Sequence, residues 1–207
     1  MTTFFRILEA HKYGAAGRKV TMQSETSIPA APAGYATVNP FIIAHDANGL
    51  IGFLKQVFRA TERPEARTLD DDGLLLHAEL AIGNATIMFG ERKPGWPFTP
   101  SLLQVYVDDV ETTLSVARQL GATVVTEPTD FFGDTFSRFR DPWGNLWWVY
   151  RHGGQTWAGD EEGSDWTGDA SATGAEEWDQ ASPGLTYIHD TLMTAMQQLQ
   201  DPRPATP

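Results

Sequence analysis

The stretch LLQVYVDDVETTLSVARQLGATVVT, residues 102–126, contains the pattern that decides the fold. Its first six residues are strand-like, and Asp108 or Asp109 then stands where a helix N-cap is preferred. In the helix that follows, apolar residues recur at helical spacing, and Gly121 is placed to end it. Residues 122–126 are again strand-like, so the stretch predicts a strand, a helix and a second strand. The inward helix positions are Val110, Leu114, Ala117 and Leu120.

The same pattern occurs earlier in the chain. Asp46 follows the strand-like run FIIA and begins a helix with apolar residues at helical spacing, 63 positions before Asp109 (109 − 46). Each predicted helix is followed by three strand candidates. The sequence therefore predicts an α+β fold of two tandem βαβββ modules. The strand candidates are about 62–69, 75–82 and 85–90 in the first module and 122–126, 134–140 and 145–151 in the second.

Three segments flank the expected domain, which covers residues 36–152 with modules at about 36–91 and 101–152. Residues 1–35 include a small, polar, Pro-containing stretch that indicates a mobile arm, and Met22 is either the true start or follows a short amphipathic helix. Residues 153–182 hold eight acidic residues and no Lys or Arg, which is typical of a solvated linker, although its three tryptophans could dock it onto the domain. Helical spacing then predicts a docked helix over 183–200. We expect its apolar face to comprise Leu185, Ile188, Leu192, Met196 and Leu199.

Composition narrows the classes of function. The chain has 207 residues and a formal net charge of −12, so we expect no nucleic-acid partner. No apolar run approaches the roughly 20 residues of a membrane helix, so no membrane partner is expected and a cytoplasmic protein is the default. Because the chain has no cysteine, metal chemistry would depend on His, Asp and Glu.

Two local signatures in the second module point to a known family. The first is VYVDDVETTLSVARQLGA at residues 105–122, and the second is DPWGN at 141–145, directly before the last strand. Together with the doubled βαβββ unit, they resemble the vicinal-oxygen-chelate superfamily, which includes glyoxalase I, extradiol dioxygenases, fosfomycin-resistance enzymes and bleomycin-resistance proteins. The match is similar to the bleomycin-resistance-like branch. The resemblance implies two curved mixed sheets that form a cleft, and it implies a homodimer.

The resemblance also implies where a metal would bind, because metal-using members place ligands on the first and last strands of each module. The corresponding positions here are Asn39 and Leu102 on the first strands and Met88 and Trp148 on the last. These side chains offer at most one neutral oxygen, so we expect no metal and no other cofactor. Glyoxalase, dioxygenase and fosfomycin-type chemistry would then lack its metal Lewis acid.

An aromatic and aliphatic wall is expected at these positions instead. Strand alternation places Trp148 and Tyr150 on one face of the last strand, beside Leu102 and its neighbours on the first. Such a wall suits a small aromatic or cationic molecule held by stacking and cation–π contacts; the alternative is that these residues are ordinary core. The expected ligand-binding residues are Asn39, Met88, Leu102, Gln104, Tyr106, Arg138, Trp148 and Tyr150.

His77 and Glu79 stand two apart on a strand and should share the face opposite to Ala78 and Leu80. They are the candidate catalytic residues, a general base with its orienting carboxylate, or else a polar pair at the rim of the cleft. Three functions therefore remain open. The favoured one is a metal-independent protein that binds and sequesters a small molecule, as drug-binding resistance proteins do. The others are a metal-independent enzyme and an interaction protein that acts through its acidic tail.

Overall fold

The computed structural model describes residues 30–154 and 182–203, so most of the expected N-terminal arm, with Met22, and residues 155–181 of the acidic linker lie outside the described residues. The first module contains a strand, a helix and four strands, and the second contains a strand, a helix and three strands. Their bounds are β1 Phe41–Ala44, α1 Ala47–Val57, β2 Thr61–Glu62, β3 Thr68–Leu69, β4 Leu75–Ile82, β5 Ala85–Glu91, β6 Leu102–Tyr106, α2 Val110–Gln119, β7 Thr123–Phe131, β8 Asp134–Arg140 and β9 Leu146–Arg151, followed by α3 Pro183–Gln197.

The two modules form two mixed sheets with the same strand order. The first sheet runs β1-β5-β4-β2, with β3 also paired to β4, and the second runs β6-β9-β8-β7. In each sheet the first strand of the module pairs in parallel with the last, while the remaining pairs are antiparallel. The α+β prediction and the doubled βαβββ unit are thus confirmed.

Both predicted caps begin their helices. The Asp109 side chain accepts a hydrogen bond from the backbone N–H of Thr112, and the Asp46 side chain accepts one from Gly49. Asp46 differs in having φ of 61°, a left-handed conformation that Asp tolerates better than most residues. Glu91 supports this helix start from β5, since its two carboxylate oxygens accept the N–H groups of Asp46 and Ala47 at 2.7 and 2.8 Å.

One hydrophobic core joins the modules through their helices. Phe53 of α1 lies 6.2 Å from Phe139 of β8, and Phe58 lies 5.0 Å from Trp147 of β9, measured between ring centroids. The core side chains of β4 and β5 belong to the same cluster. Each sheet therefore has a face that packs on α1 and α2 and an opposite face, called the outer face below. The expected ligand-binding strand positions lie on the two outer faces.

Two strand predictions were wrong in detail. Residues 62–69 form two short strands separated by a short 3-10 helix at Pro64–Ala66, because Pro64 has no N–H to donate to a ladder. β7 extends to Phe131 instead of ending near residue 126. It contains Pro128, which is tolerated because β7 is an edge strand with register shifts on both sides of Thr126.

Helix α3 packs against β7, with Ser182 as its N-cap. Ile188 and Ala195 are its buried side chains. Met196, expected on the buried face, is exposed, and Ala195 takes the inward position instead. Beyond the helix, Asp201 pairs with Arg92 at 2.8 Å and Arg203 pairs with Asp46 at 3.1 Å. Nowhere in residues 30–154 and 182–203 is a helix both long and apolar enough to cross a membrane.

Candidate functional site

The outer face of the second sheet gathers six of the eight expected ligand-binding residues. The strand register pairs Gln104 with Trp148 and Tyr106 with Tyr150, and it pairs Trp148 with Arg138 on the other side. These side chains therefore form rows that cross three strands. The six are Leu102, Gln104, Tyr106, Arg138, Trp148 and Tyr150.

Aromatic rings dominate one end of this face. The ring of Tyr150 lies 5.4 Å from Tyr106, 5.0 Å from Phe136 and 6.1 Å from Phe131. Tyr106 is 58% exposed and Leu102 is 47% exposed, whereas Phe136 is buried. The Gln104 side-chain amide donates to the Tyr106 hydroxyl at 3.2 Å. The face thus offers stacking surface to solvent along β6 and β9.

Arg138 lies at the other end of this face, beneath α3. Its guanidinium carbon is 4.7 Å from the ring centroid of Trp148 and 5.0 Å from that of Phe136. Nη1 donates to the Thr126 hydroxyl at 3.0 Å and to the Ile188 carbonyl of α3 at 3.3 Å. Burial lowers the pKa of Arg138 to about 10, so the side chain remains a cation at neutral pH.

The outer face of the first sheet carries the other expected site. Glu79 is buried and accepts three hydrogen bonds, from the Tyr35 hydroxyl at 2.6 Å, from His77 Nε2 at 3.1 Å and from Arg63 Nη1 at 3.3 Å. The hydrogen bond from Tyr35 is the main reason that the pKa of Glu79 lies below its usual range. Met88 is its cross-strand neighbour on β5.

This network determines which nitrogen of His77 is available. An ionised carboxylate only accepts hydrogen bonds, so His77 Nε2 carries the hydrogen in its contact with Glu79. The other ring nitrogen, Nδ1, is then the one that could accept a proton. His77 is partly exposed, with its ring 5.8 Å from that of Phe41. His77 and Glu79 are therefore together as predicted. Tyr35 and Arg63, the other hydrogen-bond donors to the Glu79 carboxylate, come from segments that strand alternation could not connect to it.

The remaining expected residue, Asn39, is not on the sheet. It precedes β1, and its side chain bonds to the backbone N–H and carbonyl of Ala36 in a local turn. Its expected place on the first strand was wrong, since the residue opposite Met88 is Phe41. In the second sheet the residue opposite Trp148 is Gln104.

The observed register allows a test of whether a family-type metal would fit. The four facing positions, Phe41, Met88, Gln104 and Trp148, supply one amide oxygen and no carboxylate or imidazole. A divalent cation needs several such ligands, so these residues do not fit one. Over residues 30–154 and 182–203, three or more His, Asp or Glu residues nowhere group as metal ligands.

The two outer faces carry two distinct groups of expected site residues. The described residues show no hydrogen bond or ring contact that joins His77, Glu79 or Met88 to the aromatic face of the second sheet. Sequence reasoning placed Phe136 on the same strand face as Arg138, but it did not place Phe131 and Phe136 beside Tyr150 or α3 over Arg138. The aromatic composition of FFGDTF was a usable signal for the two phenylalanines, whereas no local signal indicated where α3 would pack.

Two βαβββ modules whose helices pack on one face of each sheet define a structural class of protein. Comparison with known sequences identifies the family. Residues 41–149 match the Glyoxalase/Bleomycin resistance protein/Dioxygenase superfamily, more than half of the chain. The chain therefore belongs to this superfamily, which confirms the resemblance. A relative in Mycobacterium tuberculosis, the uncharacterized protein MT0910, is 33% identical over 144 residues, which cover 63% of this chain and 81% of that protein.

Two solved structures are similar to part of the chain at low sequence identity. The protein PA1353 from Pseudomonas aeruginosa is 18% identical, with a TM-score of 0.48 over 56% of this chain and 98% of that one. A fosfomycin resistance protein, FosX, from Listeria monocytogenes is 17% identical, with a TM-score of 0.44 over 56% of this chain and 92% of that one.

Proposed function

We propose that the protein binds a small aromatic molecule without a metal, on the outer face of the second sheet, and sequesters it without chemical change. The observation that carries this proposal is the aromatic face itself, in which Tyr106 is exposed and Tyr150 and Trp148 are partly exposed on adjacent strands. Rings in such an array present flat, polarisable surface at a low cost in side-chain entropy.

Exposure distinguishes this face from ordinary core. The helix-facing side chains of the same strands, such as Trp147 and Val149, are fully buried, so the core is complete without the outer face. Large exposed apolar side chains that are contiguous mark binding surfaces more often than isolated ones do.

Between the two ligand classes that the sequence left open, the charge at this face favours the aromatic one. A cation placed against Trp148 would lie near the Arg138 guanidinium, which already occupies one side of that ring. Like charges at such short range repel, and screening by water is weak for a buried group. We therefore expect a neutral or anionic aromatic ligand rather than a cationic one.

Calorimetric titration tests this proposal. The uncharged probe 2-naphthalenemethanol should bind the full-length protein saturably, and Trp148→Ala should weaken binding about tenfold or more, because the base of the aromatic face is lost. The matched control is Trp96→Ala, which removes an exposed loop tryptophan that makes no ring contact with the face. Equal affinities for the wild-type, W148A and W96A proteins would overturn the proposal. Mass spectrometry should recover the probe unchanged.

A second candidate function, a metal-independent enzyme, is favoured by the His77–Glu79 contact with its support from Tyr35 and Arg63. A carboxylate that is held ionised beside an imidazole is an arrangement that can orient a general base. If this candidate is correct, a ligand recovered after incubation should be chemically changed, and His77→Gln should abolish that change while leaving binding at the aromatic face intact.

A homodimer and a cytoplasmic location are parts of the same proposal. β1 and β6 are edge strands, and β1 carries the exposed apolar residue Phe41, which lies outside the proposed ligand face. Covering such edges with a second copy would protect them from uncontrolled pairing. Subcellular fractionation tests the location, and light scattering tests the dimer.

A further inference from the structure

Helix α3 covers part of the proposed ligand face. It packs on β7, where the Thr191 and Thr126 hydroxyls are 2.7 Å apart and the Tyr187 hydroxyl accepts the backbone N–H of Glu127. Ile188 of α3 places its carbonyl on Arg138, which belongs to the same outer face as Trp148. A segment of the chain itself therefore occupies the space in front of Arg138.

The burial of Arg138 is unusual for a charged side chain. It is 1% exposed, and its Nε has no hydrogen-bond partner. In the described part of the chain, no carboxylate lies within ion-pair distance of its guanidinium, although the arginines at 63, 67, 92, 118 and 203 all have one. A buried cation without an opposite charge is destabilising, so a purely structural role does not account for the burial of Arg138.

The geometry around Arg138 matches one kind of ligand group. A guanidinium binds a carboxylate through two parallel N–H···O bonds, and the unpartnered Nε belongs to one of the edges that can do so. The rings of Trp148 and Phe136 flank the same guanidinium at 4.7 and 5.0 Å. An acid whose carboxylate is attached to a flat ring would satisfy the cation and stack on the adjoining aromatic face.

Two side chains of α3, Ile188 and Ala195, are buried. Tyr187, Met193 and Met196 are all exposed, and the described residues show no ion pair between α3 and the sheet. A cavity of about 310 Å³ remains between β7 and the helix, lined by Thr123, Arg140 and Thr194 among others. The segment after the helix is tied to the first module by the Asp201–Arg92 and Arg203–Asp46 ion pairs. These ion pairs would keep the end of the chain attached if α3 left the sheet.

We propose that Arg138 recognises the carboxylate of an aromatic acid, and that α3 occupies this site in the ligand-free protein and is displaced when the acid binds. The inference rests on the proposed function, since it names the ligand class of the same face. It adds that the helix competes with the ligand, so the measured affinity is reduced by the fraction of molecules in which α3 is docked.

Matched probes test the recognition step in the full-length protein. Calorimetry should show 2-naphthoate binding about tenfold or more tightly than 2-naphthalenemethanol, the uncharged compound of similar shape. Arg138→Met should remove this preference, while Arg151→Met, at an exposed cation on β9, should keep it. Equal affinity of both probes for the wild-type and R138M proteins would overturn the ligand class and leave aromatic binding standing. Failure of both probes to bind any variant would instead overturn the proposed function itself.

Two further measurements test the displacement, and they do not depend on the folding of R138M. Ile188→Ser should loosen α3 and tighten 2-naphthoate binding severalfold, whereas Met193→Ser on the exposed side of the helix should leave it unchanged. Saturating 2-naphthoate should accelerate backbone hydrogen exchange across residues 186–197 of the wild-type protein. Arg138-dependent binding with unchanged exchange and with I188S at wild-type affinity would overturn the role of α3.

Discussion

We expect Asp141, the first residue of the DPWGN signature, to stabilise the folded protein and to take no part in catalysis or ligand binding. Its carboxylate is buried and accepts four hydrogen bonds, all at 2.9 Å. The backbone N–H groups of Trp143 and Asn145 donate to Oδ1, and the side chains of Asn145 and Trp147 donate to Oδ2. Asn145 in turn accepts the backbone N–H of Ser101, so the turn ties β9 to the start of β6.

The substitution Asp141→Asn replaces one of the two acceptor oxygens with an NH₂ group and leaves the size of the side chain unchanged. An asparagine amide has one oxygen, which can keep the two backbone donors. Its NH₂ group then faces the Asn145 amide and the Trp147 indole N–H, which are both donors. Two buried donors without acceptors cost about 1–3 kcal/mol each, so we expect a loss of about 3 kcal/mol in the free energy of unfolding.

Urea unfolding followed by tryptophan fluorescence measures this loss. With a slope of about 2 kcal/mol per molar urea, the midpoint for D141N should fall by about 1.5 M. Asp108→Asn, the same change at an exposed position, is the control and should shift the midpoint by about 0.2 M or less. If the two variants unfold at the same urea concentration, the four hydrogen bonds do not hold this turn and the reasoning fails.

Three further predictions follow from particular contacts. Tyr35→Phe should destabilise the protein at neutral pH. Since Glu79 has a lowered folded pKa, this effect should be fully present above its unfolded pKa of about 4.3 and should fade as the pH falls through the lowered value; a loss that is equal at pH 3 and pH 7 in chemical unfolding would contradict it. Asp109→Ala should cost about 1 kcal/mol through loss of the α2 cap, and a thermal melt identical to wild type would argue against that cap. Light scattering should give about twice the chain mass of 22.8 kDa, and the monomer mass at micromolar concentration would exclude the dimer.

Local sequence pattern correctly predicted the structural features whose physical cause lies within a few residues. Helical spacing, the aspartate caps at 46 and 109 and strand alternation predicted both βαβββ modules, because each depends on residues a few positions apart. The same alternation correctly placed His77 beside Glu79. Local pattern failed at 62–69, where Pro64 interrupts the strand, and at Asn39, which bonds to its own turn instead of joining β1.

Tertiary structure decided how distant segments meet, and here the sequence contains no short-range signal. Tyr35 and Arg63 converge on Glu79 from 44 and 16 residues away, and α3 reaches Arg138 from 50 residues away. An amphipathic helix at 183–200 requires a surface on which to bury its apolar side, but its own periodicity does not specify which surface. That choice depends on the shape and the unpaired groups of the folded sheet, which exist only once both modules have formed. The sequence by itself therefore determined the architecture and the aromatic composition of the site. Only the tertiary structure placed beneath a helix of the same chain a buried arginine that has no ion-pair partner among the described residues.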